Sequence, residues 1–230
     1  MKTKFLKLFS LLFLMGCSTK NNLVYVNEKK PDKTTVESDV YQFNNYGNIS
    51  TKKTNLDAPR FYNIEEFYYN KDQKLILSKF FHFFKKEKKK ILSSFKTYEY
   101  GDDGKLSKNI VYESDSLIRV VILHSYLPNK EIQRIYSYEM LPTKTPNIEE
   151  AISLTDTIFY DDKNRKIKIV SYNDLFKDPS STQFFKYNDD GYTITRKTKN
   201  GEMETEYKNI GDKIDYYIPF NKKSQVIIKK

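Results

Sequence analysis

An aromatic residue, a short polar turn and an aliphatic residue recur along this chain, and no other feature constrains its fold as tightly. The series begins with FNNYGNI at Phe43 and YNKDQKL at Tyr69, and is clearest in YGDDGKL at Tyr100. It continues as YLPNKEI at Tyr126, YDDKNRKI at Tyr160 and YNDDGYT at Tyr187, and closes as YKNIGDKI at Tyr207. A repeat at this period means one supersecondary unit used many times. Residues after the turn alternate, as in Leu106, Lys108, Ile110 and Tyr112, a period of two that places one class of side chain on one sheet face. Each unit therefore reads as strand, tight turn, strand. The Asp-Asp-Gly core suits a bulged hairpin closed by a left-handed glycine, and Asp accepts hydrogen bonds from nearby amides in such turns.

Composition agrees with half-exposed strands. Hydrophobic content of 38% is low for a compact globule and charged content of 30% is high, yet the chain carries 19 Tyr and 16 Phe. Tyr suits a surface with one dry and one wet side, and Tyr, Phe, Ile and Thr favour strands. The longest gap in the series holds LPTKTPNIEEAISL, the best short-helix candidate. There Thr145 can cap, Pro146 can take the first helical position, and Glu149 and Glu150 suit the first turn. The expected fold is all-β: an open, twisted antiparallel sheet of repeated hairpins with at most one or two short helices.

The N-terminus speaks to location. Lys2, Lys4 and Lys7 precede a short apolar stretch, Leu8 to Met15, which is too short to span a bilayer and fits a secretory signal. The following Leu14-Met15-Gly16-Cys17 resembles the bacterial lipobox. That resemblance implies cleavage after Gly16, acylation of Cys17 and attachment to a membrane. Cys17 is the chain's single cysteine, so no internal disulfide can form. Ser18 follows where an Asp would signal inner-membrane retention in enteric bacteria, so the resemblance points to the outer membrane, on its periplasmic or surface side. The expected organisation is a signal peptide at 1–16, a lipidated tether at 17–40 with room for a short strand around Leu23 to Val26, and a repetitive sheet domain at 41–230.

The repeats resemble the YD-type repeats of bacterial surface proteins, including the Rhs family, whose core is Tyr-Asp-x-x-Gly, a basic residue and an aliphatic. The resemblance covers Tyr41 to Ile214 and implies a twisted sheet of hairpins. Departures are plain: the Tyr69, Tyr126 and Tyr160 copies lack the glycine, and Tyr160 alone is followed directly by Asp.

Residues with chemical potential are few. The pairs Asp102/Asp103, Asp161/Asp162 and Asp189/Asp190 sit in predicted turns, where calcium would need more oxygen ligands than two neighbouring carboxylates offer. His82 and His124 lie in strand-like runs, with no partner at metal-ligand spacing. No cofactor site, metal site or catalytic residue is expected. The net charge of +10 comes from 35 Lys and 5 Arg against 30 acids. A Lys-dominated excess reads as solvated surface rather than as a nucleic-acid face, which draws on Arg.

FFHFFKKEKKK (Phe80 to Lys90) is the sharpest local feature. Phe80, Phe81, Phe83 and Phe84 put aromatics on both faces of one strand, either as a strand buried on both sides or as an apolar ligand or partner face. Lys85, Lys86, Lys88, Lys89 and Lys90 then form a hairpin tip, a candidate contact for an anionic surface. Ile118 to Tyr126 reads as a second doubly apolar strand beside it. The expected function is a non-catalytic binding or scaffolding module of the cell envelope, with an envelope protein or lipid as partner. The alternatives are a lipid or lipoprotein carrier with an apolar groove, and an immunity-type lipoprotein that neutralises a toxin.

Overall fold

The structure, a computed structural model, describes residues 23–29, 35–138, 142–173, 178–209, 217–220 and 224–229. They form sixteen strands and a single 3-10 turn. The strands are β1 (Leu23–Lys29), β2 (Thr35–Phe43), β3 (Ile49–Thr54), β4 (Phe61–Tyr69), β5 (Leu75–Phe84), β6 (Lys89–Tyr100), β7 (Leu106–Glu113) and β8 (Ile118–Leu127). They continue with β9 (Lys130–Ser137), β10 (Ile152–Tyr160), β11 (Lys166–Asn173), β12 (Pro179–Tyr187), β13 (Gly191–Thr198), β14 (Gly201–Asn209), β15 (Tyr217–Phe220) and β16 (Ser224–Lys229). All belong to one open antiparallel sheet. Strands β1 to β15 follow one another in order, and β16 returns to pair with β1 on its free side.

This order bends the sheet. The edge strands β15 and β16 are neighbours in sequence, and four Cα steps from Phe220 to Ser224 cannot exceed about 15 Å. Sixteen strands laid flat would set those edges about 70 Å apart. The sheet therefore curls until its two ends approach, although no ladder joins β15 to β16 among the described residues.

The sheet is one layer thick. Substantial contacts between elements are those between hydrogen-bonded neighbours, and no large described side chain is fully buried. Two small clusters substitute for a core: Val24, Val26, Tyr41 and Phe43 on β1 and β2, and Ile110, Ile118, Val121 and Tyr138 around β7 to β9. A low apolar content spread over alternating strands can fill patches of this size and no more.

The repeated turns form as the sequence predicts and lie along one end of the sheet, here called the near rim. Four copies share one geometry. The amides of Asn44, Asn70, Gly101 and Asp161 donate to the carbonyls of Asn48, Lys74, Lys105 and Arg165. Gly47, Gln73, Gly104 and Asn164 close these turns with positive φ. The side-chain oxygens of Asn44, Asn70 and Asp161 each accept two further amides of their turn. Gly101 has no such oxygen, and Asp103 Oδ1 accepts the Lys105 amide in its place.

Gly191 departs from the expectation. It does not adopt the left-handed conformation that Gly104 adopts at φ 76°. It is the first residue of β13, and a Cβ there would stand 1.9 Å from the Tyr207 carbonyl oxygen. The two Asp-Asp-Gly copies thus use glycine for different reasons, one for backbone conformation and one for close approach of two strands.

Four further expectations are corrected. Among the described residues the sheet already includes Leu23, not only residues from 41 on: β1 covers the short strand expected around Leu23 to Val26, and β2 also starts within the segment read as a tether; their polar residues alternate with the buried Val24 and Val26. The predicted helix is a single 3-10 turn at Ile148–Glu150, capped by Asn147 rather than Thr145. The turn stops because Ala151 is extended and Ile152 already pairs with Ser137. Strand β8 is not beside β5, since β6 and β7 lie between them. Nor is β5 buried on both sides: Phe80, Phe81, Phe83 and Phe84 are all half-exposed, as a single layer requires.

Candidate functional site

Directly opposed residues of an antiparallel ladder share a face, so register assigns each aromatic of β4 to β6. On one face Phe61 pairs with Phe84 and Asn63 with His82. The rings of Phe61 and His82 are 5.1 Å apart and those of Phe61 and Phe84 5.7 Å apart. Phe80 lies 5.4 Å from His82 on the same side, and His82 Nδ1 is 3.0 Å from Asn63 Oδ1. On the other face Phe83 stacks on Tyr62 at 4.9 Å, and Lys90 sits 3.8 Å above the Phe81 ring. The four phenylalanines therefore alternate in pairs and do not line one groove.

The basic segment divides as well. Lys85 Nζ donates to the Leu56 carbonyl at 2.6 Å, and Lys90 is paired with Glu66. Lys86, Lys88 and Lys89 are exposed, with Lys88 in the left-handed region at φ 50°. Register also fixes where this tip stands. Leu23, Gln42, Thr51, Glu66 and Lys79 form one continuous row across β1 to β5. Lys86 lies seven residues beyond Lys79, about 23 Å further along the strands. The chain enters the sheet at the near rim, and the basic tip is on the far rim.

A polar network that the sequence did not reveal crosses β7 to β10. The His124 Nδ1 lies 2.7 Å from Glu131 Oε1, and its Nε2 lies 2.7 Å from Asn109 Oδ1. Gln133 Nε2 and the Tyr160 hydroxyl also donate to Glu131, at 2.8 and 2.6 Å. The His124 and Glu131 side chains are only 5% and 8% exposed. Burial works against the Glu131 charge, yet the donors His124, Tyr160 and Gln133 outweigh it and hold the carboxyl down at about 2. Tyr126, beside this cluster, is pushed up to about 12, first by burial and then by the charges of Glu131 and Asp103. Asn109 Nδ2 is buried without a hydrogen-bond partner. Only the hairpin register made this network findable: once Leu127 pairs with Lys130 across the Pro128-Asn129 turn, His124 and Glu131 fall on one face.

Two shallow cavities accompany these features. One of about 660 Å³ opens at the near rim between Lys105, Tyr126, Lys130, Glu131, Tyr160 and Asn164. The other, about 350 Å³, lies on one face of β1 to β4 against Leu23, Tyr25, Val40, Leu56 and Tyr62. The paired carboxylates stand in turns: Asp161 holds the Arg165 side chain at 2.7 Å, and Asp102, Asp103, Asp162, Asp189 and Asp190 are exposed at hairpin tips. Cys17, the segment read as a secretory signal and the turn after Tyr207 lie outside the described residues.

These features define an all-β protein built from repeated hairpins in one antiparallel sheet. No protein-family model matches the chain, and no curated protein matches it. Among solved structures, a porin-like protein from Bacteroides uniformis is similar at 11% identity and a TM-score of 0.44, over 84% of this chain and 61% of that one. The TcdB2-TccC3-Cdc42 structure is similar at 11% identity and a TM-score of 0.29, over 79% of this chain and 10% of that one. The chain thus spans about six-tenths of the porin-like protein's length and a tenth of the other's.

Proposed function

We propose that this chain is a non-catalytic binding module of the cell envelope, held to a membrane through a lipid on Cys17. The observation that carries this reading is the single-layer sheet. A chain that leaves both faces of a long repetitive sheet half-exposed offers extended area for a partner, not an enclosed pocket for a small substrate. Among the described residues, the buried acid–base pair is already committed, since Glu131 accepts from three side chains and His124 is engaged through both ring nitrogens. The carrier alternative loses its expected groove, because Phe80 and Phe84 face one way and Phe81 and Phe83 the other.

The lipid part of the reading rests on the Leu14-Met15-Gly16-Cys17 segment. Two or more acyl chains anchor stably where one is marginal. Replacing Cys17 with Ser and fractionating cells tests it: the variant moves from the membrane to the soluble fraction. Tight membrane association after that change contradicts the anchor.

A further inference from the structure

We propose that the far end of the β4–β5–β6 ladder is a docking surface for an acidic, partly apolar protein segment. The choice of a protein over the anchoring bilayer rests on the reading of Cys17 as the tether. Two neighbouring rows build the surface on one sheet face. Phe61, Phe84 and Lys89 are opposed across the three strands in the first row, and Asn63, His82 and Ile91 in the second. Phe61 and Ile91 are 39% and 41% exposed, so the rows form a contiguous apolar patch where single exposed residues would be unremarkable.

Cations rim the patch. Arg60, Lys86, Lys88 and Lys89 are exposed around it, while Asp57 and Glu87 are the acids within the two adjoining turns. Aromatic side chains within a patch that carries charge around it match the anatomy of protein interfaces. Charge complementarity then selects an acidic partner. Orientation bears on the alternative of a lipid surface. The chain enters at the near rim, about 23 Å along the strands from the Lys86 level. A tether of six residues before Leu23 thus places its membrane beside the opposite rim when the sheet stands upright.

The test uses the full chain with Cys17→Ser, so its outcome does not depend on acylation. The probes are a fluorescent peptide of alternating Glu and Leu, its Gln–Leu counterpart, and phosphatidylglycerol vesicles. The Glu–Leu peptide binds, and the triple change Lys86→Glu, Lys88→Glu, Lys89→Glu weakens it at least tenfold. The double change Phe61→Ser, Phe84→Ser weakens it as well, and near-rim Lys71→Glu does not. A milder set, Lys86→Ala, Lys88→Ala, Lys89→Ala, keeps the test decisive should charge reversal unfold the hairpin. Equal binding of the Gln–Leu peptide, equal loss with Lys71→Glu, or binding of vesicles in preference to the Glu–Leu peptide overturns the proposal. Any of these leaves the fractionation test of Cys17 standing on its own.

Discussion

The Tyr100 hydroxyl donates to the Leu75 carbonyl across 2.9 Å. It ties the last residue of β6 to the first residue of β5, one hairpin earlier. Tyr69 reaches Ile49 and Tyr126 reaches Leu106 in the same way, at 2.8 and 3.0 Å. Tyr160 reaches back one hairpin too, but to the Glu131 carboxylate. The lead aromatic of the repeat is therefore a latch between consecutive units, and this explains why the position favours Tyr over Phe once a preceding hairpin exists to receive the bond.

Removing one latch has a defined cost. Tyr100→Phe keeps the ring and loses a neutral hydrogen bond, worth about 1 kcal/mol, so the melting temperature falls by roughly 2–4 °C for a chain of this size. Tyr160→Phe loses a bond to a charged acceptor and costs more, about 1.5–3 kcal/mol. Thermal unfolding of the two variants in parallel checks the order.

Acid should release the Glu131 network. The folded carboxyl is held at about 2, below the usual carboxylate value of about 4.3. Its stabilisation is therefore present above that unfolded value and is lost as pH falls through it towards 2. The effect is at most about 3 kcal/mol. Melting curves from pH 7 down to pH 2 should drop for the wild type, and Glu131→Gln should be less stable at pH 7 but flatter across that window.

The two Asp-Asp-Gly glycines separate by substitution. Gly104→Asn keeps a residue type that closes the sister turn, where Asn164 holds φ 58°, and costs about 1 kcal/mol or less. Gly191→Ala drives a Cβ into the Tyr207 carbonyl and forces β13 from β14, which costs several times as much. Urea midpoints of the pair measure the difference.

The hairpin turns also predict a null result with calcium. Asp161 spends Oδ1 on two backbone amides and Oδ2 on Arg165. Asp103 Oδ1 is engaged by the Lys105 amide. Added calcium leaves the melting temperature unchanged, and a rise reversed by chelator would restore a metal role for these turns.

Turn chemistry is what made the hairpins legible. Asn or Asp at the turn entry and Gly or Asn in the left-handed position announce themselves in single residues. Where that chemistry is absent, legibility failed. The turn from Glu113 to Leu117 has the same hydrogen bonds and a left-handed Ser116 at φ 70°, yet Tyr112-Glu113 carries no such signal, so it escaped the repeat series. The Leu-Val-Tyr-Val run of β1 is legible as a short strand, whereas the start of β2 is hidden by polar residues that alternate with valine. The pairing of β16 with β1 joins the two ends of the chain, and no local pattern encodes it. His124 shows no partner in the sequence because Glu131 is identified only by register across a turn.

A one-layer sheet in which each strand makes its substantial contacts with its neighbours behaves as a one-dimensional array. Native-state hydrogen exchange, followed strand by strand, is the most direct test of that architecture and of the open faces on which the binding role depends. Protection should be greatest through β5 to β9 and should decline stepwise towards β15 and β16, with the edge strands opening independently. Uniform protection, with all strands exchanging in one cooperative step, would contradict the account.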